Sequence, residues 1–153
     1  MTAEAGRLEL AYRQIGDRLW RALLGYTGDR EIANDALAEA FAQALSREDE
    51  LRSPADWVWA SAFRIAAGML KNGLHTEHVP REGHYDLPDP VEDLVRALAR
   101  ISEHQRLAIV MHDYADRPTS EIAAVMGVTT ATVHVHLSQG RRRLRKLLED
   151  GDA

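Results

Sequence analysis

The stretch that decides the fold runs from Pro118 to Lys146 and reads PTSEIAAVMGVTTATVHVHLSQGRRRLRK. Its pattern predicts a short helix, a tight turn and a longer helix. We expect Ser120 to cap the first helix, Gly127 to end it because glycine tolerates a positive φ, and Thr129 to open the second helix with its hydroxyl. Apolar or small residues then recur at helical spacing and predict one buried stripe: Val133, Leu137, Gly140, Leu144 and Leu147.

Two helices that cross over a short turn need a small residue, a turn-permitting residue and an apolar residue at fixed places. The stretch supplies all three, as Ala123, Gly127 and Val133. This is the helix-turn-helix pattern, in which the second helix enters the major groove of DNA. A plain helical hairpin inside a bundle is the alternative. The basic cluster Arg141–Lys146 favours DNA, because it carries five cations and no acidic residue interrupts residues 138–147.

Composition restricts the class of protein. The chain of 153 residues has no cysteine, which argues against a disulfide scaffold and is typical of a reducing compartment. Its apolar runs are short and no secretory leader is recognisable, so we expect a cytoplasmic, soluble protein without membrane insertion. The net charge of −5 is the wrong sign for a general nucleic-acid binder, but five of the nine Lys and Arg in residues 90–153 lie in the basic cluster.

The N-terminal part of the chain predicts three helices. Residues 7–26 carry apolar side chains at helical spacing. Asp29 is placed to cap a second helix, and Ser53 with Pro54 opens a third helix that runs to about Lys71. The side chains expected to be buried lie on one side of each helix: Leu8, Tyr12, Ile15, Leu19, Leu23 and Tyr26; Ile32, Ala36, Leu37, Ala40, Phe41, Ala44 and Leu45; Trp59, Phe63, Ala66 and Leu70.

The outer side of the second helix combines small residues with polar ones. Its members are Asn34, Asp35, Ala38, Glu39, Ala42 and Gln43. Such a side is often only a solvated helix surface. It also suits a docking face, because the small residues let a partner helix approach while Asp35 and Glu39 meet its basic side chains.

Helical periodicity stops after Gly73, where prolines, glycines and charged residues mix. We interpret residues 73–89 as a flexible linker. The interruption divides the chain into two parts, residues 1–72 and 90–150, each of which carries its own helical pattern. The predicted fold is therefore all-α, with two small helical domains joined by this linker.

The second domain begins with helical spacing from Val91 through Leu94, Val95 and Leu98 to Ile101. Ser102 and Glu103 are expected to start another helix that runs through Tyr114. Its inward side chains are expected to be Leu107, Val110, Met111 and Tyr114. The helix-turn-helix then completes the domain.

The segment Thr130–Leu137 allows a second interpretation, because its β-branched residues and alternating pattern would also suit a strand. His134 and His136 would then share one face and could hold a metal ion. On a helix, residues two apart point in different directions, so the pair would not chelate. The capping threonine before the segment and the apolar spacing after it favour the helix, and we predict no metal and no cofactor.

The order of these motifs resembles the extracytoplasmic-function sigma factors, the small bacterial factors that guide RNA polymerase to promoters. The second helix of that family carries a run like D-A-E-D-L-V-Q-E-T-F, and residues 32–41 keep four of its positions: Ala33, Asp35, Glu39 and Phe41. The third helix of the family often ends in W-L-Y-R-I-A-R-N. Here its counterparts are Trp59-Ala60 and Phe63-Arg64-Ile65-Ala66.

The final unit resembles the family pattern S-E-I-A-x-x-L-G-V-S-x-x-T-V-K-S-R-L-x-R-A-R-x-x-L. The match runs from Ser120 through Thr132 and Val133 to Leu137 and Leu144. Three matches in the family's order on a two-domain chain are far more specific than any one of them, and the resemblance covers most of the chain.

The resemblance implies a role for each unit. The second helix would dock on a coiled coil of the polymerase β′ subunit through Asp35, Ala38, Glu39 and Ala42. The end of the third helix, with Arg64 and Lys71, would help to open the promoter and hold the non-template strand of the −10 element. The last helix would bind the −35 element as duplex. Thr129 and Thr130 would contact a phosphate, and Thr132, His134 and His136 would lie nearest the base edges. Arg141, Arg142 and Arg145 would lie nearest other phosphates. Sigma factors of this type commonly also bind an anti-sigma factor.

The sequence departs from the family pattern in both segments that the resemblance assigns to DNA, which are the end of the third helix and the last helix. Ala67-Gly68 stands where Arg-Asn is favoured, and Gly68 weakens the helix by about 1 kcal/mol relative to alanine. In the last helix, three cations of the pattern become His134, His136 and Gln139. Each lost phosphate contact lowers affinity, so we expect weak duplex binding that rises when the imidazoles are protonated in acid.

Four functions remain to be weighed. A promoter-specific sigma factor is favoured. The alternatives are a non-initiating sigma-like regulator that binds polymerase or an anti-sigma factor, and a simple helix-turn-helix regulator that dimerises through its N-terminal bundle. An enzyme is disfavoured, because the chain has no cysteine nucleophile, no glycine-rich phosphate loop and no H-E-x-x-H motif.

Overall fold

The computed structural model describes residues 2–73 and 89–151, and all regular secondary structure within these ranges is helical. Seven α-helices lie in the described ranges: α1 Thr2–Thr27, α2 Arg30–Ser46, α3 Pro54–Lys71, α4 Asp89–Leu98, α5 Glu103–Ile109, α6 Thr119–Met126 and α7 Thr130–Gly151. A 3₁₀ turn spans Glu48–Glu50, and a π-helical turn, Val110–Tyr114, continues α5. The predicted all-α class is confirmed. Most of the predicted linker, residues 74–88, lies outside the described residues.

The N-terminal unit consists of α1, α2 and α3, and two of its helix starts follow the sequence prediction. The Asp29 carboxylate accepts hydrogen bonds from the backbone N–H groups of Glu31 at 2.8 Å and Ile32 at 3.1 Å. Ser53 caps α3 through the N–H of Asp56 at 3.3 Å, with proline in the first turn. These caps satisfy donors that a helix start leaves without an intrahelical partner.

The core of this unit is a group of rings surrounded by aliphatic residues. Tyr26 and Phe63 are fully buried, with ring centroids 6.1 Å apart, and Trp59 stacks on Phe63 at 6.2 Å. Two residues predicted to be buried are exposed. Leu45 is 62% exposed, because the buried side of α2 is a narrow line of alanines and Leu45 lies one residue past it. Tyr12 is 52% exposed and covers Phe41 edge-on at 5.0 Å.

The C-terminal unit consists of α4 to α7, and its turns correct two predictions. Ser120 does not cap α6, because the helix begins at Thr119 and the Pro118 carbonyl accepts the N–H groups of the first turn. Tyr114 is 39% exposed rather than inward, since the π-helical turn adds a residue and rotates it off the buried stripe. Gly127 does end α6 with φ 71°, as predicted.

Helix α7 is a continuous helix through Thr130–Leu137, which excludes the strand interpretation. Thr129 accepts the N–H of Thr132 at 3.1 Å and caps it, as predicted. The predicted stripe is confirmed at its centre, where Val133, Leu137 and Gly140 are buried. A Cβ on Gly140 would lie 2.9 Å from Ile109 Cδ1 and 3.0 Å from Gln105 Cβ, so α5 and α7 approach as closely as they do only because this residue is glycine.

The two units pack against each other and share one continuous buried cluster. At the centre of the junction, the Tyr26 hydroxyl donates to Glu103 Oε2 at 2.8 Å, and Arg106 Nε donates to the Tyr26 carbonyl. At its edge, Arg117 of the C-terminal unit donates to Asp56 of α3 at 3.1 Å. No sequence pattern predicted this contact, since the domains were expected to be separate.

Candidate nucleic-acid interface and acidic docking face

The side of α7 that faces away from α5 and α6 is exposed along its length. Thr130, His134 and Gln139 are exposed at different positions around α7, and Val135 is 51% exposed on the side opposite the buried stripe. Val135 was missed by the sequence reasoning, although its position off the buried stripe indicates exposure. A valine methyl is an apolar group that can contact the thymine methyl in a major groove.

All five cations of the basic cluster are exposed on α7, and four of them differ from Arg141 in their contacts: Arg142, Arg143, Arg145 and Lys146. None of the four has an ion-pair partner within 4.0 Å among residues 2–73 and 89–151. The sequence reasoning named Arg142 and Arg145 for phosphate contacts. Arg143 and Lys146 are exposed as well.

Arg141, also predicted to contact phosphate, is exposed but is hydrogen-bonded to another side chain of the protein. Its Nε donates to Asp113 Oδ2 at 2.9 Å, its Nη2 donates to the other oxygen of that carboxylate, and Nη2 lies 3.2 Å from His112 Nδ1. The hydrogen bond from Arg141 is the main reason that the pKa of Asp113 lies below its usual range. Arg141 therefore differs from its four neighbours, which carry no such partner.

His136 does not join the exposed face, so its predicted base contact has no geometric support. Its ring packs edge-on against His104 of α5 at 5.3 Å, and its Nδ1 is buried without a hydrogen-bond partner among the described residues. Burial and the neighbouring His104 hold the pKa of His136 below the usual 6.5.

The threonines at the start of α7 divide between two roles. The Thr129 hydroxyl caps the helix and lies 2.9 Å from the Thr132 hydroxyl, so both take part in forming the helix start. Thr130 is exposed at the same end. A helix N-terminus also attracts anions through its dipole and its exposed N–H groups, which makes this end the natural place for a phosphate.

All six residues predicted for the outer side of α2 are exposed: Asn34, Asp35, Ala38, Glu39, Ala42 and Gln43. Glu39 accepts a hydrogen bond from Gln43 Nε2 at 2.8 Å. Asn34 is used within the fold, since it accepts from Trp20 Nε1 at 2.7 Å. The exposed Leu45 adds an apolar side chain at the end of this face, one that the sequence reasoning assigned to the core.

The exposed end of α3 carries few charges. Arg64 and Lys71 are exposed and lie seven residues apart, or two helical turns, so they share one side of α3. A Cβ on Gly68 between them would meet nothing within 4 Å. The glycine is thus not required by packing.

A cleft of about 390 Å³ lies between the units and is mostly apolar. Its walls come from α1, α4, the π-helical turn and α7, including Ala22, Leu94, Leu98, Val110, Tyr114 and Leu144. Within the described ranges, no three histidine, aspartate or glutamate side chains are grouped to hold a metal ion. Nor is any helix in those ranges both long and apolar enough to cross a membrane.

The fold and the exposed faces define a two-unit, all-α protein with a DNA-binding helix-turn-helix. Comparison with known proteins sharpens this class. Residues 92–144, which span α4 to most of α7, match the family model described as Sigma-70, region 4. The chain is 26% identical to the ECF RNA polymerase sigma factor SigL of Mycobacterium tuberculosis, over 97% of this chain and 92% of SigL. It is 25% identical to SigJ of the same organism, over 76% of this chain and 43% of SigJ.

Two solved structures share the fold. The sigma factor RpoE of Bartonella quintana, crystallised with the anti-sigma factor NepR, superposes with a TM-score of 0.72 at 19% identity, over 94% of this chain and 98% of RpoE. CnrH, in complex with the cytosolic domain of CnrY, gives a TM-score of 0.68 at 20% identity, over 95% and 89%. The chain is thus similar to extracytoplasmic-function sigma factors over most of its length, and its second unit matches the Sigma-70 region 4 model.

Proposed function

We propose that this protein binds core RNA polymerase in the cytoplasm and directs transcription initiation at specific promoters, without enzymatic activity of its own. One observation carries the proposal: a single chain presents two exposed helix faces of opposite charge. The face of α2 carries Asp35 and Glu39, and the face of α7 carries four cations that have no ion pair among the described residues. Opposite charges select different partners, one basic and one polyanionic.

The acidic face of α2 suits a basic helix of the polymerase β′ subunit. Ala38 and Ala42 are exposed between the carboxylates, so a partner helix can approach the backbone of α2 without displacing large side chains. Asp35 and Glu39 then lie within reach of its cations. Leu45 is exposed at the end of the same helix. It would supply an apolar contact of the kind found in the core of protein–protein interfaces.

The basic face of α7 suits the −35 duplex. The helix start with Thr130 would take a phosphate, and His134 and Val135 would lie toward the base edges. Arg142 and Arg145 would bind phosphates about two turns and about three turns further along α7. Arg64 and Lys71 on α3 would contact the −10 strand.

An anti-sigma factor is a further proposed partner. The related RpoE was crystallised with its anti-sigma factor NepR. In this chain, the apolar cleft between the units offers a surface that an apolar helix of such a partner could cover.

A second candidate is a sigma-like regulator that binds polymerase but does not open promoters. The observation that favours it is the end of α3, where Ala67-Gly68 replaces the expected Arg-Asn and the space around Gly68 is open. Run-off transcription decides between the two. If the protein is an initiating sigma factor, transcripts should appear when it is added to core polymerase on DNA from upstream of its own gene. If it is a non-initiating regulator, it should bind polymerase without producing transcripts.

The docking face is tested by charge reversal. Asp35→Arg is expected to weaken binding to core polymerase at least about tenfold, since it places a cation against a basic partner. Asp49→Arg, an equal charge change on an exposed residue outside the face, is the matched control and should bind within about twofold of the unchanged protein. Binding is measured by co-purification and titration with labelled protein. Equal binding by both variants would reject α2 as the docking face.

A further inference from the structure

Arg141 is the one member of the basic cluster that the structure shows fixed to an acidic partner. Both oxygens of Asp113 accept from its guanidinium, through Nε at 2.9 Å and through Nη2. This is the two-pronged geometry in which arginine also binds phosphate. A carboxylate therefore occupies the Nε–Nη2 edge of Arg141, one of the two edges with which a guanidinium can bind a phosphate.

The carboxylate is itself held in place from two directions. His112 Nδ1 lies 2.8 Å from Asp113 Oδ1 within the same turn. On the other side of the turn, Arg18 of α1 donates to the Tyr114 carbonyl and to Asp116 at 3.3 Å, and its guanidinium lies 5.3 Å from the centre of the Tyr114 ring. Because the turn is anchored to α1, Asp113 is pre-positioned against Arg141 and loses little freedom by binding it.

We propose that Asp113 is a positioning residue that holds Arg141 away from promoter phosphates, so that α7 binds the DNA backbone through its other cations. The proposal rests on the proposed function, in which α7 binds duplex DNA. A phosphate can bind the Nε–Nη2 edge of Arg141 only by displacing a carboxylate that makes the same pair of hydrogen bonds, and the fixed guanidinium cannot turn this edge toward the DNA. The depressed pKa of Asp113 keeps this competitor ionised at neutral pH.

The proposal predicts that Asp113 and Arg141 act as a pair. Asp113→Asn removes the competing charge and releases Arg141. The slope of log K against log salt should then steepen by about 0.9, which corresponds to about eightfold tighter binding at 0.1 M salt. Arg141→Gln alone should change affinity less than about twofold, and in the Asp113→Asn background it should cancel the gain.

The experiment measures binding of the full chain to two labelled duplexes, one from upstream of its own gene and one of unrelated sequence, across a salt series. Arg142→Ala is the reference for a cation that contacts phosphate, so it should weaken binding to both duplexes and reduce the slope by about 0.9. Asp116→Asn is the control for the turn, because it removes a carboxylate bound to Arg18 rather than to Arg141. It should leave the slope unchanged.

Three results would overturn the inference. Arg141→Gln could reduce affinity and slope as Arg142→Ala does, which would mean that Arg141 already contacts DNA. Asp113→Asn could weaken binding, which would mean that Asp113 orients Arg141 toward the phosphate. Should Asp113→Asn fail to fold, judged by circular dichroism, Arg141→Gln decides alone. If the unchanged protein binds neither duplex, the proposed DNA contact itself fails, and the inference fails with it.

Discussion

The N-terminal and C-terminal units are stabilised in different ways. The N-terminal core is built from large rings, with Tyr26 and Phe63 fully buried against a line of small alanines on α2. The C-terminal core is aliphatic, and α5 and α7 come into close contact at Gly140. The ring of His136 is partly buried at the edge of this core, against His104. The first unit depends on the volume of a few large side chains. The second depends on close approach of two helices and on a polar ring that stays neutral.

The two units present surfaces of opposite charge and nevertheless pack against each other. The acidic face of α2 and the basic face of α7 are both exposed in the packed arrangement, so closure of the junction covers neither. At that junction, burial and the Glu103 partner raise the pKa of the Tyr26 hydroxyl, which therefore stays protonated as a hydrogen-bond donor. The two units therefore differ in how each is packed and charged, although they share one buried cluster.

The largest expected effect tests that shared stability. Phe63→Ala in the first unit and Leu137→Ala in the second should each lower the free energy of unfolding, by about 3–5 and about 2–5 kcal/mol. All three tryptophans lie in the N-terminal unit: Trp20, Trp57 and Trp59. Because the core is continuous, Leu137→Ala should shift the tryptophan-detected urea transition as much as the one detected by circular dichroism. A shift in circular dichroism alone would show that the units unfold separately.

A smaller effect separates the two helical glycines. Gly68→Ala on α3 meets open space and should stabilise the protein by about 0.5–1 kcal/mol. Gly140→Ala places its Cβ 2.9 Å from Ile109 Cδ1 and 3.0 Å from Gln105 Cβ. The crowding costs about 1–3 kcal/mol and outweighs the gain in helix propensity, so this variant should be destabilised. Thermal unfolding measures both, and equal stabilisation by the two changes would disprove the close contact between α5 and α7.

The smallest effect concerns pH and belongs to the C-terminal unit. The pKa of His136 is below 6.5 in the folded protein, mainly through burial and then through His104. As pH falls through about 6.5, the unfolded chain binds a proton at this ring before the folded protein does, so stability declines. His136→Gln should reduce the fall in melting temperature between about pH 7.5 and pH 5.5. His134→Gln, on the exposed face, is the control and should retain it. Parallel pH profiles for the unchanged protein and His136→Gln would contradict the burial.

Several features of this chain were predictable because they depend on neighbours within one or two helical turns. Asp29, Ser53 and Thr129 cap helices by bonding N–H groups two or three residues away. Gly127 ends α6 in a conformation that its own backbone permits. The helix-turn-helix, the acidic face of α2 and the basic cluster follow from the spacing of residues, and the order of these motifs carried the resemblance to sigma factors. Helix caps, helix ends and helical faces can be predicted from sequence because they depend on residues that are close together in the chain.

Other features were decided only by tertiary structure. Arg141 meets an acid 28 residues away, Tyr26 meets Glu103 at a separation of 77, and Arg18 meets Asp116 at a separation of 98. The burial of His136 and the exposure of Leu45 likewise depend on which helix lies opposite. The contacts and the protonation of a charged or aromatic side chain depend on its neighbours in the folded protein, because these neighbours determine its hydrogen bonding, desolvation and screening. The sequence alone therefore determined the helices and their two charged faces, and packing determined which of those charges are available to a partner.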